Sequence, residues 1–130
     1  IYDSRRTGQG GVLLAVDVDH LKAMNDALGH VKVDDILINM CSCFQESSRK
    51  TDFWGRVGGD EFLGFLRDTD SIQAAVVAER ILNQVKTKLG QTVSIGITDL
   101  KNGDTVASLR QRADQALYQA KETKNSFSIL

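Results

Sequence analysis

The stretch "GVLLAVDV", residues 11 to 18, constrains the fold of this chain most. It is short and nearly continuous in apolar side chains, and it runs out into two carboxylates, Asp17 and Asp19. A run of that length without polar alternation reads as a central strand covered on both faces. With 130 residues, 42% of them hydrophobic, the chain is long enough for one compact domain with its own core and too short for two. We therefore assign a single domain to residues 1–130.

The rest of the pattern supplies the cover. From about Lys22 the spacing turns helical, breaks near Gly29, and resumes with Val33, Ile36, Leu37, Met40 and Phe44 on one face to about Ser48. "FWGRV" and "EFLGFL" then flank Gly58 and Gly59, which predicts a two-strand hairpin whose tip uses the positive φ that glycine tolerates. Asp70 or Ser71 is expected to cap a helix burying Ile72, Ala75, Val76, Leu82 and Val85, with Gly90 as its stop. "TVSIGIT" puts Val93, Ile95 and Ile97 on one face of a strand. After the turn "KNGD", Asp104 is expected to cap a helix with Val106, Leu109, Ala113, Ala116, Leu117 and Ala120 inward, and "SFSIL" closes as a short strand. The order β-α-α-β-β-α-β-α-β predicts an α+β fold: a nucleotidyl-cyclase, ferredoxin-like sandwich with a mixed central sheet flanked by helices.

Charge narrows the chemistry. Lys plus Arg total 16 against 17 for Asp plus Glu, so no global field favours nucleic acid, a membrane surface or a polyanionic substrate. Phosphate chemistry must be local. No apolar run approaches the roughly 20 residues of a membrane span, and the start "IYDSRRTGQGG" has no signal-peptide core, so the segment is expected to be soluble and free of membrane contact. Cys41 and Cys43 lie two apart in a helical pattern, which sends their thiols to different sides and suits neither a disulfide nor a metal pair. Small buried side chains in a reducing cytoplasm are the expectation.

In such a sheet the end of the first strand and the tip of the hairpin lie side by side, bringing Asp17 and Asp60 to one edge. Two carboxylates repel there unless something positive sits between them. Mg²⁺ takes hard oxygen ligands, usually one or two carboxylates plus waters and substrate phosphates, so Asp17, Asp60 and the Val18 carbonyl form a candidate site. Gly58 and Gly59 remove the side chains that would block a bulky ligand. Taken alone, "GGDE" reads equally as a solvated turn whose acids favour solubility.

Five blocks decide between these readings. Gly58 to Phe62 spells GGDEF, and the chain also carries "DVDHLKAMND" (17 to 26), "GHVKVDD" (29 to 35), "VSIGIT" (93 to 98) and "RADQALYQAK" (112 to 121) in matching order. Over nearly its whole length it resembles the GGDEF domain family of diguanylate cyclases. The resemblance implies an enzyme that joins two GTP molecules into cyclic di-GMP with release of pyrophosphate, working as a homodimer in which each domain holds one GTP. It implies two Mg²⁺ ions per site, with Mn²⁺ as the alternative ion, carried by Asp17 and Asp60 with help from the Val18 carbonyl. Asp60 or Glu61 is the candidate general base. The backbone amides of His20 and Leu21 are expected to face the phosphates, beside Lys22 and Lys121. Asn25 and Asp34 match the guanine-binding positions; a carboxylate accepts from guanine N1–H and the N2 amine, which adenine cannot offer. Asp34 is also read as a helix-start acid favoured by the dipole. Arg49 and Asp52 in "RKTD" match an inhibitory product site, where Arg forks onto guanine O6 and N7. Asp19 is read as a turn-forming neighbour, and His20 and His30 as framework side chains.

Three departures from the family pattern carry expectations of their own. Val33 stands where the family has glycine, and its branched side chain is expected beside the base. "ETKNS" follows Lys121 in place of Gly-Arg-Asn, leaving Lys124 or Asn125 to replace a phosphate-binding arginine. The family's lead segment is absent, so the chain reads as an N-terminally truncated fragment of a longer protein. The alternative to an active cyclase is a catalytically silent GTP or cyclic di-GMP binding module that regulates an attached domain.

Overall fold

The computed structural model describes residues 10–130; the polar lead ahead of them, and any expectation placed on it, lies outside the described residues. Strand β1 (Gly11–Val18) runs into helix α1 (Leu21–Leu28) and helix α2 (His30–Glu46). The hairpin β2 (Phe53–Arg56) and β3 (Glu61–Arg67) follows, then α3 (Ser71–Leu89), β4 (Val93–Asp99), α4 (Val106–Thr123) and β5 (Ser126–Ile129). This is the element order read from the sequence.

The five strands lie in the order β2-β3-β1-β4-β5. β1 is antiparallel to both neighbours, β2 and β3 are antiparallel, and only β4 and β5 are parallel, giving the mixed sheet. The continuous apolar run of β1 is explained by two cores. Val12, Leu14, Val16 and Val18 face the larger one with Phe62, Leu66, Ile95 and Ile97, under α1, α2 and α3. Leu13 and Ala15 face a smaller one with Ala113 and Leu117 of α4. Gly96 permits that second layer: a Cβ there would strike the Leu117 amide and the Ala113 carbonyl, so α4 rests directly on the strand backbone.

Local signals set the boundaries. Asp70 caps α3, accepting from the Gln73 amide at 2.9 Å while Gln73 reaches back to the Asp70 amide, and Gly90 ends the helix in the left-handed region at φ 65°. Gly29 separates α1 from α2 at φ 84°, ψ 157°, a conformation that excludes other residues.

Several expectations fail in instructive ways. Leu82 and Val85 of α3 are buried as expected, but Ile72 and Val76 are exposed, and Ala74, Ala78 and Ile81 are buried in addition. Only the first half of the helix is displaced from its bulky side chains: there the inner positions are the small Ala74 and Ala78, two residues on from Ile72 and Val76. Val106 is likewise exposed at the start of α4. Thr105, not Asp104, caps that helix in a reciprocal pair with Ser108. Asp104 is committed to Arg112, at 2.7 and 3.0 Å, which holds its carboxyl well below the usual range. Both cysteines are free thiols, pushed up in pKa by burial.

Candidate functional site

The antiparallel register pairs Asp17 with Glu61, so the tip of the hairpin meets the end of β1, and the Val18 amide donates to the Asp60 carbonyl at 3.1 Å. The Asp60 carboxyl lies near enough to that of Asp17 to perturb it. Burial, and then the hydrogen bond and negative charge of Asp60, push the Asp17 pKa up to about 6 although Lys121 pulls it down. One Asp17 oxygen, Oδ1, is buried with no hydrogen-bond partner among the described residues. An orphaned carboxylate oxygen beside a second carboxylate is a cation-accepting arrangement. No cluster of three or more His, Cys, Asp or Glu side chains suited to a metal occurs among the described residues. Two carboxylates and a carbonyl fit Mg²⁺, which keeps waters and shares ligands with phosphates.

The hairpin tip is open. Gly58 and Gly59 do not adopt the positive φ expected of them; among the described residues the glycines with positive φ are Gly29, Gly90 and Gly103. The turn closes instead with the Val57 and Gly58 amides both donating to the Glu61 carbonyl. A Cβ at Gly59 would meet nothing within 4 Å, so its lack of a side chain serves no packing need of the fold. The Arg56 guanidinium braces the turn, donating to the Gly58 and Gly59 carbonyls, and lies 3.9 Å from Asp34.

Asp34 is exposed in the second turn of α2, which begins at His30, so the helix-start reading of this acid falls. Across the α1–α2 junction, the Asn25 side-chain oxygen is buried without a partner among the described residues. Val33 does not crowd this cleft: it is 2% exposed and packs within the main core. His20 is exposed and takes the left-handed region at φ 57° as it turns the chain into α1, and Leu21 and Lys22 open that helix, Lys22 exposed.

Lys121 reaches the site from α4. Its Nζ donates to the Val18 carbonyl at 3.0 Å, lies 3.1 Å from Asp19 Oδ1 and 3.2 Å from Asp17 Oδ2. Asp19 is no loose turn residue. It is 1% exposed and accepts from Thr92, Ser94 and the Asn125 amide, which with Lys121 hold its pKa down against the cost of burial. Lys124 and Asn125 are exposed at the end of α4 with φ 63° and 45°. Glu61 pairs with Arg110 of α4, which also approaches Asp114 at 3.4 Å. Sequence reasoning missed Arg56 and Arg110; only the spacing of Arg56 two residues before the glycines was available as a signal.

Arg49 and Asp52 lie on another face, in a cleft of about 390 Å³ lined also by Thr69, Gln73, Val77 and Arg80. They are not a simple exposed pair. The Asp52 side chain is 3% exposed and accepts from the Arg49 and Arg67 amides, while Arg49 donates to Thr69 and the Arg67 carbonyl. Asp52 thus ties the lead into β2 to the end of β3.

Comparison with known proteins agrees with this geometry. The family model "Diguanylate cyclase, GGDEF domain" matches residues 1–126. The chain is 35% identical over 126 residues to the probable diguanylate cyclase DgcJ of Escherichia coli, covering 95% of itself and 25% of that protein. The chain thus spans about a quarter of the length of that curated relative. The active GGEEF domain of a diguanylate cyclase from Vibrio cholerae superposes with a TM-score of 0.86 at 32% identity, covering 97% of this chain and 86% of that one. The GGDEF domain of DgcB from Caulobacter crescentus, solved in complex with c-di-GMP, superposes at 0.87 with 27% identity, covering 97% and 81%. By its motif blocks, its sheet order and these matches, the chain belongs to the GGDEF domain family of diguanylate cyclases.

Proposed function

We propose that this domain condenses two GTP molecules into cyclic di-GMP, each protomer of a homodimer presenting one GTP to the other. The observation that carries this reading is the sheet edge where Asp17 and Asp60 meet, with a buried Asp17 oxygen unsatisfied among the described residues, beside the two side-chain-free positions Gly58 and Gly59. Asp17, Asp60 and the Val18 carbonyl would hold Mg²⁺, two ions per site with Mn²⁺ able to substitute. Bound there, the metal supplies positive charge to the triphosphate and acidifies the attacking ribose hydroxyl.

The remaining roles belong to the chain. The amides of His20 and Leu21, with Lys22 and Lys121, bind the phosphates. Asn25 and Asp34 orient guanine through its N1 and N2 donors. Gly58 and Gly59 leave room for the nucleotide. In each half-reaction a ribose 3′-oxygen bonds to the α-phosphorus of the other GTP, the bond to the β-phosphate oxygen breaks, and pyrophosphate leaves. Asp60 is the general base we favour, because the Glu61 carboxylate is engaged by Arg110. Arg49 and Asp52, with their cleft, form the product-inhibition site, and Arg49 must release Thr69 to fork onto a guanine.

A second reading, a nucleotide-binding module without turnover, draws support from the stretch after Lys121. There the Asn125 amide is spent on Asp19, and only Lys124 offers a cation. Turnover by the wild type separates the two, and substitution then locates the chemistry. Asp17→Asn and Asp60→Asn are expected to abolish pyrophosphate release from Mg²⁺ and GTP in a protein that still melts cooperatively. Equal turnover in wild type and both variants would place the chemistry elsewhere.

A further inference from the structure

Asp19 stands two residues from Asp17, yet its geometry excludes it from the ligand set of a metal. A carboxylate offers about four lone-pair directions, and those of Asp19 are taken: Oδ1 by Ser94 at 2.7 Å and Lys121 at 3.1 Å, Oδ2 by Thr92 and the Asn125 amide at 2.8 Å each. Its donors come from β4, the segment before it, α4 and the segment after α4, so the carboxylate is fixed from several sides. The Lys121 ammonium donates to Val18 O and Asp19 Oδ1 and forms an ion pair with Asp17 Oδ2 at 3.2 Å, so it serves three oxygen acceptors at once. Two of those three acceptors are the ligands assigned to the metal. The third is not.

We propose that Asp19 is a positioning residue that holds the Lys121 ammonium as a resident cation on Asp17 and the Val18 carbonyl, so that a divalent ion takes over those two acceptors while Asp19 keeps Lys121 facing the phosphates. The inference rests on the metal site of the proposed function. Its physical basis is that Asp17, Asp19 and Asp60 cluster at one sheet edge and need a nearby positive charge. The ammonium satisfies that need before the metal arrives and competes with it. Tethered to a buried acceptor, it is displaced by a short distance without leaving the site.

Two titrations test this. In the first, Mn²⁺ is added without nucleotide and free ion is followed by its paramagnetic resonance signal. Lys121→Met is expected to bind Mn²⁺ about tenfold more tightly than wild type, since a competing charge has gone. In the second, 3′-deoxy-GTP, which lacks the attacking hydroxyl, is titrated at saturating Mn²⁺. Lys121→Met and Asp19→Asn are each expected to weaken it by about tenfold, and the double variant by no more than Lys121→Met alone, because Asp19 acts through Lys121. A merely structural role would not move the two titrations in opposite directions in Lys121→Met. Unchanged or weaker Mn²⁺ binding in Lys121→Met, or additive losses in the double variant, would overturn the proposal. If Asp19→Asn melts below the assay temperature, Asp19→Glu, which keeps the charge but shifts the acceptor, takes its place alone and in the double variant, under the same criteria. Asp17→Asn is the control: Mn²⁺ binding that ignores Asp17 would overturn the metal site itself, whereas Asp17-dependent binding indifferent to Lys121 would overturn only the role of Asp19.

Discussion

Asp17→Asn should abolish turnover and yet stabilise the metal-free protein. The Asp17 pKa is raised from 3.8 to about 6, first by burial and then by Asp60, so in the folded state the ionised form is disfavoured relative to the unfolded chain. A shift of about two units at about 1.36 kcal/mol each corresponds to ~3 kcal/mol of strain carried by wild type at neutral pH. The side chain is 23% exposed, and relaxation of the site lowers that figure, so we expect a gain of about 1–3 kcal/mol for the neutral isostere. The sign follows from proton uptake. Between pH ~4 and ~6 the folded wild type holds the proton more tightly than the unfolded chain, so its stability falls as pH rises through that window. Below it the wild-type side chain is itself neutral and the advantage of Asn vanishes. The effect of Asp104, whose pKa is lowered by Arg112, is common to both proteins and cancels in the difference. The assay is thermal melting in chelator at pH 4, 5, 6 and 7. For a domain of this size the gain at pH 7 corresponds to roughly 4–12 °C. Adding Mg²⁺ should raise the wild-type midpoint and leave the variant unmoved. A variant that melts at or below wild type at pH 7, or a difference independent of pH, would refute the reasoning.

Gly59→Ala should leave the unfolding free energy within about 0.5 kcal/mol of wild type, because the added methyl meets nothing, while weakening GTP binding measured by calorimetry. Asp34→Ala should reduce the preference for GTP over ATP by about 1–3 kcal/mol in competition binding, since guanine donors lose their acceptor. Val33→Gly should cost about 3 kcal/mol in denaturant unfolding, from a core cavity plus a helix-interior glycine, with no gain in GTP affinity. Arg49→Ala should leave the initial rate intact and remove the slowing that accompanies accumulating cyclic di-GMP, a coupling between two distinct sites.

Much of the fold was legible because its signals are local. The apolar run of β1, the Asp70 and Gly90 punctuation of α3 and the paired strands around Gly58 each depend on neighbours in sequence. Helix phase was harder to read. Ile72, Val76 and Val106 look like core residues by type, but the first half of α3 buries Ala74 and Ala78, and no property of a single side chain reports how closely a helix will approach a sheet. The turn glycines answer no demand of backbone geometry, since neither takes a positive φ, and a side chain at Gly59 would meet open space.

The site divides the same way. Asp17, Asp60 and the glycines could be placed together once the strand order was inferred, because β1 and β3 are neighbours with a fixed register. Asp19 could not be read: its partners Thr92, Ser94, Lys121 and Asn125 lie 73 to 106 residues away. For the same reason the Glu61–Arg110 and Asp52–Arg67 contacts, 49 and 15 residues apart, were invisible to motif reading. Val33 shows the converse error, in which a family position suggested a pocket and the helix face placed the side chain in the core.

The central claim is that this edge of the sheet performs phosphoryl chemistry on GTP, and one measurement addresses it directly. Purified protein is incubated with Mg²⁺ and GTP, and the nucleotides are separated while pyrophosphate is quantified, at several protein concentrations. The account predicts one cyclic dinucleotide for every two pyrophosphates, with a specific rate that rises with protein concentration because two protomers must meet. Folded protein that binds GTP with Mg²⁺ and returns it unchanged at every concentration would contradict it.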